Sequence, residues 1–213
     1  MPFKRGDHVC AIYSTTAELV HEAAGFLADG LRSRERCWYV AAGDETDAVR
    51  AALGELGVDV AAQTARGALR MVSGTEAYVV HGNFDPEATL QIFNDAIEQA
   101  CRDGFTGFRA AAEMSWALAC EDGPHQIIVY EALLKTLFAN CRAVGLCLYD
   151  RSRMPLAVLD GALRTHPVAG VRGHFRPNPF YDPAVTGPVG DRADVLQRLA
   201  QLAPTSQPAG EPR

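Results

Sequence analysis

Strand-length apolar runs alternate with segments of helical periodicity along most of this chain, and that alternation confines it to a small set of folds. The first run, His8 to Tyr13, is followed by Thr15-x-x-Glu18, a capping box, and then by Leu19, Val20, Ala23, Phe26, Leu27 and Leu31 at helical spacing. Cys37 to Ala42 starts the pattern again, closed by Gly43-Asp44-Glu45-Thr46 and followed by Val49, Leu53 and Leu56 of a second helix ending at Gly57. Leu69 to Val72 predicts a third strand, with a polar and aromatic loop through Tyr78, His81 and Phe84 behind it. Asp85-Pro86 places an N-cap before a proline at the first helical position, and Leu90, Phe93, Ile97, Ala100 and Cys101 supply that helix's apolar stripe up to Gly104. Phe108 to Met114 predicts a fourth strand, Ile127 to Phe138 a helix, Val144 to Tyr149 a fifth strand, and Pro155 opens a helix through Leu156, Leu159 and Leu163.

Strands joined by helices run parallel, and strands apolar on nearly every residue are covered on both faces. The predicted fold is α/β, a three-layer mostly parallel sheet with helices on both faces. Beyond Gly170 the prolines of His174 to Tyr181 keep the chain extended, lying across the domain. Asp191 to Leu202 reads as a short helix, and Ala203 to Arg213, rich in Pro, Ser, Gln and Gly, as a disordered tail. The expected organisation is one domain over residues 1–182, an extension with a short helix over 183–202, and the tail over 203–213.

With 213 residues, 48% of them hydrophobic, the chain is long enough for one sizeable core. Its net charge is -6 and its 20 Lys and Arg residues are scattered, so no basic surface for direct nucleic-acid contact is expected. The six cysteines never form C-x-x-C and most sit in apolar runs, as buried thiols do in a reducing compartment. No uncharged stretch approaches the roughly 18 residues of a membrane span, so no membrane association and a cytoplasmic location are expected.

Ligands of an open parallel sheet bind outside the carboxyl ends of its strands, which here are Tyr13 to Thr16, Gly43 to Glu45, Ser73 to Glu76, Glu113 to Trp116 and Tyr149 to Ser152. A phosphate loop after the first strand needs glycines for backbone approach and a lysine for charge. Tyr13-Ser14-Thr15-Thr16-Ala17-Glu18 has neither, and Glu18 adds negative charge, so Thr15 and Glu18 are read as helix caps. Glu113, beside Met114 and Trp116, is either a desolvated, ligand-orienting carboxylate or a capping residue. Asp150 with Arg151 or Arg153 is either an ion pair at the crevice rim or a solvated surface pair.

His8 and Cys10, two apart on a strand, face the same side and offer a nitrogen and a sulfur to a metal or haem. No ligand spacing links them to His166, His174, Cys37 or Cys147, so a structural histidine beside a buried thiol is the reading, and no metal or cofactor is expected. The chain has no Gly-x-Ser-x-Gly elbow and no His-Glu-x-x-His helix, and it is not expected to be an enzyme.

Several of these segments together, in this order, resemble the MEDS domain, the sensory region of methanogen and methylotroph regulators. They are Gly6 to Tyr13, Glu113-Met114-Ser115-Trp116, Cys147-Leu148-Tyr149-Asp150-Arg151, and Leu159-x-x-Ala162-Leu163-Arg164-Thr165-His166-Pro167 followed by Asn178-Pro179-Phe180-Tyr181. The resemblance implies a RecA/KaiC-like fold without a functional P-loop, and a role in sensing small molecules, proposed for hydrocarbon derivatives, with output through attached kinase or DNA-binding domains. No such output domain is found in this sequence, so signalling through a separate protein partner is expected. The resemblance makes His8, Cys10 and His166 candidate ligand contacts. Tyr13, Glu113, Trp116, Tyr149 and Asp150 join them on the physical reading, as aromatic walls with a few polar groups, in a crevice between Tyr13, Glu113 and Tyr149. The alternatives are a ligand-free interaction module of a kinase or sigma-factor pathway, a residual nucleotide-binding protein, and a metal or redox sensor through His8 and Cys10.

Overall fold

The computed structural model describes residues 3–80, 83–120, 123–139, 141–185 and 192–204. The first strand, β1 (His8–Tyr13), is buried along its whole length, and the capping box behind it closes as the residue types require. Thr15 Oγ1 accepts the Glu18 N–H at 3.2 Å, Glu18 Oε2 accepts the Ser14 N–H at 2.7 Å, and α1 (Thr16–Arg32) starts there. β2 (Arg36–Ala41) leads to α2 (Thr46–Glu55) and the short α3 (Val60–Ala65). β3 (Leu69–Ser73) is followed by α4 (Gly74–Tyr78) and by a two-stranded hairpin, β4 (Val79–Val80) and β5 (Asn83–Phe84).

Asp85 caps α5 (Pro86–Arg102), its Oδ1 accepting the Glu87 and Ala88 N–H groups, with Pro86 at the position where no N–H is needed. β6 (Phe108–Glu113) ends in a 3-10 turn over Met114–Ala119, after which come α6 (Gly123–Ala139), β7 (Ala143–Asp150) and α7 (Leu156–Thr165). β8 (Val168–Val171), β9 (His174–Pro177) and α8 (Arg192–Leu202) complete the described chain.

Seven strands form one sheet in the order β3-β2-β6-β7-β1-β8-β9, parallel throughout except for β9, which runs antiparallel to β8 at the edge. One face carries α1 and α2, whose Leu19, Phe26, Leu27, Val49 and Leu53 pack on Val9, Ala11, Tyr39, Leu146 and Leu148. The opposite face carries α5, α6, α7 and α8, with Phe93, Ile97, Ile128, Leu159 and Leu199 over Cys10, Ile12, Ala110, Cys147 and Tyr149. The α/β three-layer expectation therefore holds.

Several expectations are corrected in detail. The loop expected after β3 contains α4 and a hairpin, while His81 lies outside the described residues. The extended segment after Gly170 does not merely cross the domain; its first half, with Val168–Val171, extends the sheet as β8 and β9. Ala203, where the tail was expected to begin, packs against the core and donates its N–H to Leu199 O; residues 205–213 lie outside the described residues. Among the described residues no helix is long and apolar enough to cross a membrane.

Candidate functional site

Side chains of a strand alternate between faces, and this alternation divides the predicted contacts between two places. On β1, Tyr13 points to the α1 face, whereas His8, Cys10 and Ile12 point to the α6 face. On β7, Tyr149 faces α6 and its neighbour Asp150 reaches the rim beside Tyr13. A single crevice between Tyr13, Glu113 and Tyr149 is therefore not formed.

Tyr13, Glu113 and Asp150 meet at the carboxyl ends of β1, β6 and β7. They line a cleft of about 600 Å³ together with Ser14, Glu45 and Arg153. The Tyr13 hydroxyl donates to Glu113 Oε1 at 2.9 Å, and Ser115 donates its N–H to Oε2 at 3.0 Å and its hydroxyl to Oε1 at 2.7 Å. Glu113 thus caps the 3-10 turn. Burial raises its pKa above the usual carboxylate value, against the lowering effect of the Ser115 and Tyr13 hydrogen bonds. Burial and the nearby Glu113 carboxylate likewise push the Tyr13 phenol up, so it stays a hydrogen-bond donor. Asp150 accepts the Ser152 N–H and hydroxyl at 2.7 and 2.6 Å, a local turn contact that neither reading of Asp150 with Arg151 or Arg153, rim ion pair or solvated surface pair, had included.

Trp116 lies next door. It stacks on Tyr78 with ring centroids 4.2 Å apart and planes 9° from parallel, and its buried indole Nε1 has no hydrogen-bond partner. It lines an adjoining hollow of about 670 Å³, which shares Gly43 and Asp44 with the first.

His8, Tyr149 and His166 meet instead inside the core, under α6 and α7, around a residue that sequence reasoning had not singled out. Glu131, on α6 and 0% exposed, takes a 2.5 Å hydrogen bond from the Tyr149 hydroxyl on Oε1 and lies 2.9 Å from His8 Nε2 through Oε2. His166 Nε2 is 3.3 Å from the same Oε2, and Cys147 Sγ is 3.6 Å from both that oxygen and His8 Nε2. The two imidazole rings lie 3.8 Å apart between centroids, and His8 also stacks on Phe138. Cys10 sits opposite Cys147 in the strand register, buried in the same layer.

Burial, with the charge on His166, lowers the His8 pKa from 6.5 to about 4 despite the raising influence of Glu131. Burial alone would raise the Glu131 carboxyl, yet the charges of the nearby His166 and His8 imidazoles hold it below the usual range. The Cys147 thiol is pushed well up by burial and by Glu131. Glu131 was detectable in principle: α6 is apolar nearly all round, and a lone acid inside Tyr130-Glu131-Ala132-Leu133-Leu134 has to be buried with partners.

The late segments singled out in the sequence are physically joined here. Asn178 Nδ2 donates to the carbonyl oxygens of His166 at 2.7 Å and Leu163 at 2.5 Å, so the Asn-Pro-Phe-Tyr segment holds the end of α7 in place.

A KaiC-like protein from the hyperthermophilic archaeon Pyrococcus horikoshii OT3 has a similar solved structure: TM-score 0.55 at 16% identity, over 79% of this chain and 72% of that one. At that identity the likeness concerns the fold, a RecA-type α/β sheet. No curated protein matches the chain. The family model described as "MEthanogen/methylotroph, DcmR Sensory domain" matches residues 7–167, a span that opens just before His8 and closes just after His166 and so takes in both clusters. The segments that carried the resemblance, the sheet they build and this match agree, and the chain belongs to the MEDS family of sensory domains.

Proposed function

We propose that this sensory domain binds a small, neutral or cationic molecule, a hydrocarbon derivative among the candidates, in the cleft along the carboxyl edge of its sheet. It acts by binding rather than by catalysis and passes the signal to a separate protein partner. The observation that carries this reading is the pair of adjoining hollows sharing Gly43 and Asp44, bordered by Tyr13 and Glu113 on one side and Trp116 on the other. In a RecA-type sheet this is the crevice outside the strand ends where ligands collect.

The lining favours some ligand chemistry over others. Asp44, Glu45, Glu113 and Asp150 outnumber Arg153 in the first hollow, a lining that repels anions. The N–H groups of the first turn of α1, which a phosphate would need, are in part engaged by the Thr15 and Glu18 caps. Trp116, held by its stacking on Tyr78, gives the second hollow an aromatic border suited to the apolar body of a ligand.

Native mass spectrometry of the protein purified from its own host tests the proposal. A retained small molecule is expected, lost in Trp116→Ala and weakened about 10-fold in Tyr13→Phe, whose hydroxyl contributes roughly one hydrogen bond. Calorimetry with ATP and Mg²⁺ is expected to give no heat. Retention of the same molecule by a folded Trp116→Ala protein, or tight ATP binding, would count against this site.

A further inference from the structure

The core cluster carries a set of donor atoms that its own hydrogen bonds leave incomplete. His166 Nδ1 lies 2.8 Å from the Ala162 carbonyl oxygen, which can only accept, so Nδ1 holds a proton. In the neutral ring Nε2 then presents a lone pair. That nitrogen is fully buried, has no hydrogen-bond partner, and lies 3.3 Å from Glu131 Oε2. An unprotonated ring nitrogen buried that close to a carboxylate oxygen is unfavourable unless a positive charge lies with them.

We infer that His8 Nε2, Glu131 Oε2, Cys147 Sγ and His166 Nε2 form a closed, four-ligand site for a divalent transition metal of the zinc class. The inference goes beyond the cleft reading and does not depend on it. The four ligand atoms lie within 4.8 Å of one another, and the shortest separations, 2.9 to 3.6 Å, are close to the roughly 3.3 to 3.8 Å edges of a tetrahedron with zinc's bond lengths. Imidazole, thiolate and carboxylate together suit this borderline-soft ion better than calcium or magnesium.

Charge balances as well. One carboxylate, one thiolate, two neutral imidazoles and a 2+ ion sum to zero, which a dry core favours. Cys147 has to release its proton when the metal arrives, forming the sulfur–metal bond, and the proton goes to solvent. Two of the four ligands are already oriented by neighbours, His166 by Ala162 O, which fixes its tautomer, and Glu131 by the Tyr149 hydroxyl on its other oxygen, while the buried His8 Nδ1 has no hydrogen-bond partner. The rival arrangement is metal-free, with His166 an imidazolium neutralising Glu131.

The test is a titration of the full chain, reduced and stripped by a chelator, first with Co²⁺ and then with Zn²⁺. One equivalent of cobalt is expected, with thiolate-to-metal charge transfer in the near ultraviolet, tetrahedral visible bands, and displacement by zinc. Cys147→Ser abolishes the charge-transfer band whereas Cys10→Ser keeps it, and Tyr149→Phe, a positioning change, weakens metal binding about 10- to 100-fold. Nitrogen chemical shifts of the zinc-loaded protein are expected to show His166 neutral and metal-bound through Nε2. Folded wild-type protein without cobalt bands overturns the inference, as does an imidazolium at His166 in the presence of zinc. Both readouts use the wild-type chain, so they decide the matter even if a variant fails to fold.

Discussion

Glu22 sits on the inner face of α1, where its Oε1 accepts the Gly173 N–H at 2.9 Å while its buried Oε2 has no hydrogen-bond partner. Burial lifts its pKa from 4.5 to about 7, opposed by the Gly173 hydrogen bond and helped by the Glu18 charge. Between these two values the folded state binds more protons than the unfolded one, so this group's contribution to stability falls as pH rises from 4.5 toward 7 and is level above that. Glu22→Gln keeps the acceptor and removes the charge. Chemical denaturation at pH 8 is expected to show the variant more stable by about 1–3 kcal/mol, with no difference at pH 4. Equal stability at both pH values would mean that Glu22 is solvated. His8 acts in the opposite sense: its lowered pKa makes stability decline as pH falls from 6.5 toward 4. Single residues of this kind were the least legible part of the sequence. Glu22 and Glu131 lie on helices, Arg109 inside an apolar strand and its buried partner Glu35 (2.6 Å) in the charged stretch Arg34-Glu35-Arg36, and periodicity alone treats each as a solvated position. The face of a neighbour was legible and was not used: Tyr149 and Asp150 are adjacent on one strand, so they cannot line the same crevice.

At the scale of elements, legibility followed length. β1 and β2 were readable as apolar runs, and α1 and α5 because each carries a full apolar period and a side-chain cap. α3 buries no residue at all, so no periodic signal existed for it, and β8 is four residues of Val, Ala and Gly. α8 matters more to the fold than its position near the described end suggests. Its Val195, Leu199 and Leu202 are buried in the same core as α7, and Arg198 Nη1 reaches the buried Asp160 at 2.8 Å. Leu199→Ala is expected to cost about 2–4 kcal/mol in urea denaturation, as for a fully packed core leucine. A loss under about 0.5 kcal/mol, the range of surface substitutions, would mean that α8 only rests on the domain. At the α6 and α7 crossing, a Cβ on Gly161 would stand 2.3 Å from Ile128 Cδ1. Gly161→Ala therefore has to displace the Ile128 side chain, whose Cγ1 and Cγ2 also stand within 3.0 Å, so it is expected to lower Tm in thermal denaturation.

The whole molecule brings together what the sequence spreads out. The α/β class was legible because alternating strands and helices leave few other ways to bury both faces of a sheet. The order of the strands was not, since local patterns carry no information about which strand pairs with which. The members of the core cluster come from β1, α6, β7 and the end of α7, and only this pairing makes neighbours of His8 and His166. A chain truncated after Gly104 is expected to show no cooperative unfolding transition, because β1 has neither of its sheet partners there.

The placement of β1 between β7 and β8 also sets a timetable. During synthesis β1 waits for β7 and β8, and at roughly 5–20 residues per second that delay is on the order of 10 s. Through that interval the apolar segment Val9-Cys10-Ala11-Ile12 has no place in a sheet. Its closure is a long-range event that slows folding in general. In the growing chain, assembly of the sensory core therefore follows the emergence of β7 and β8, and chaperone dependence is concentrated in the time before β7 emerges.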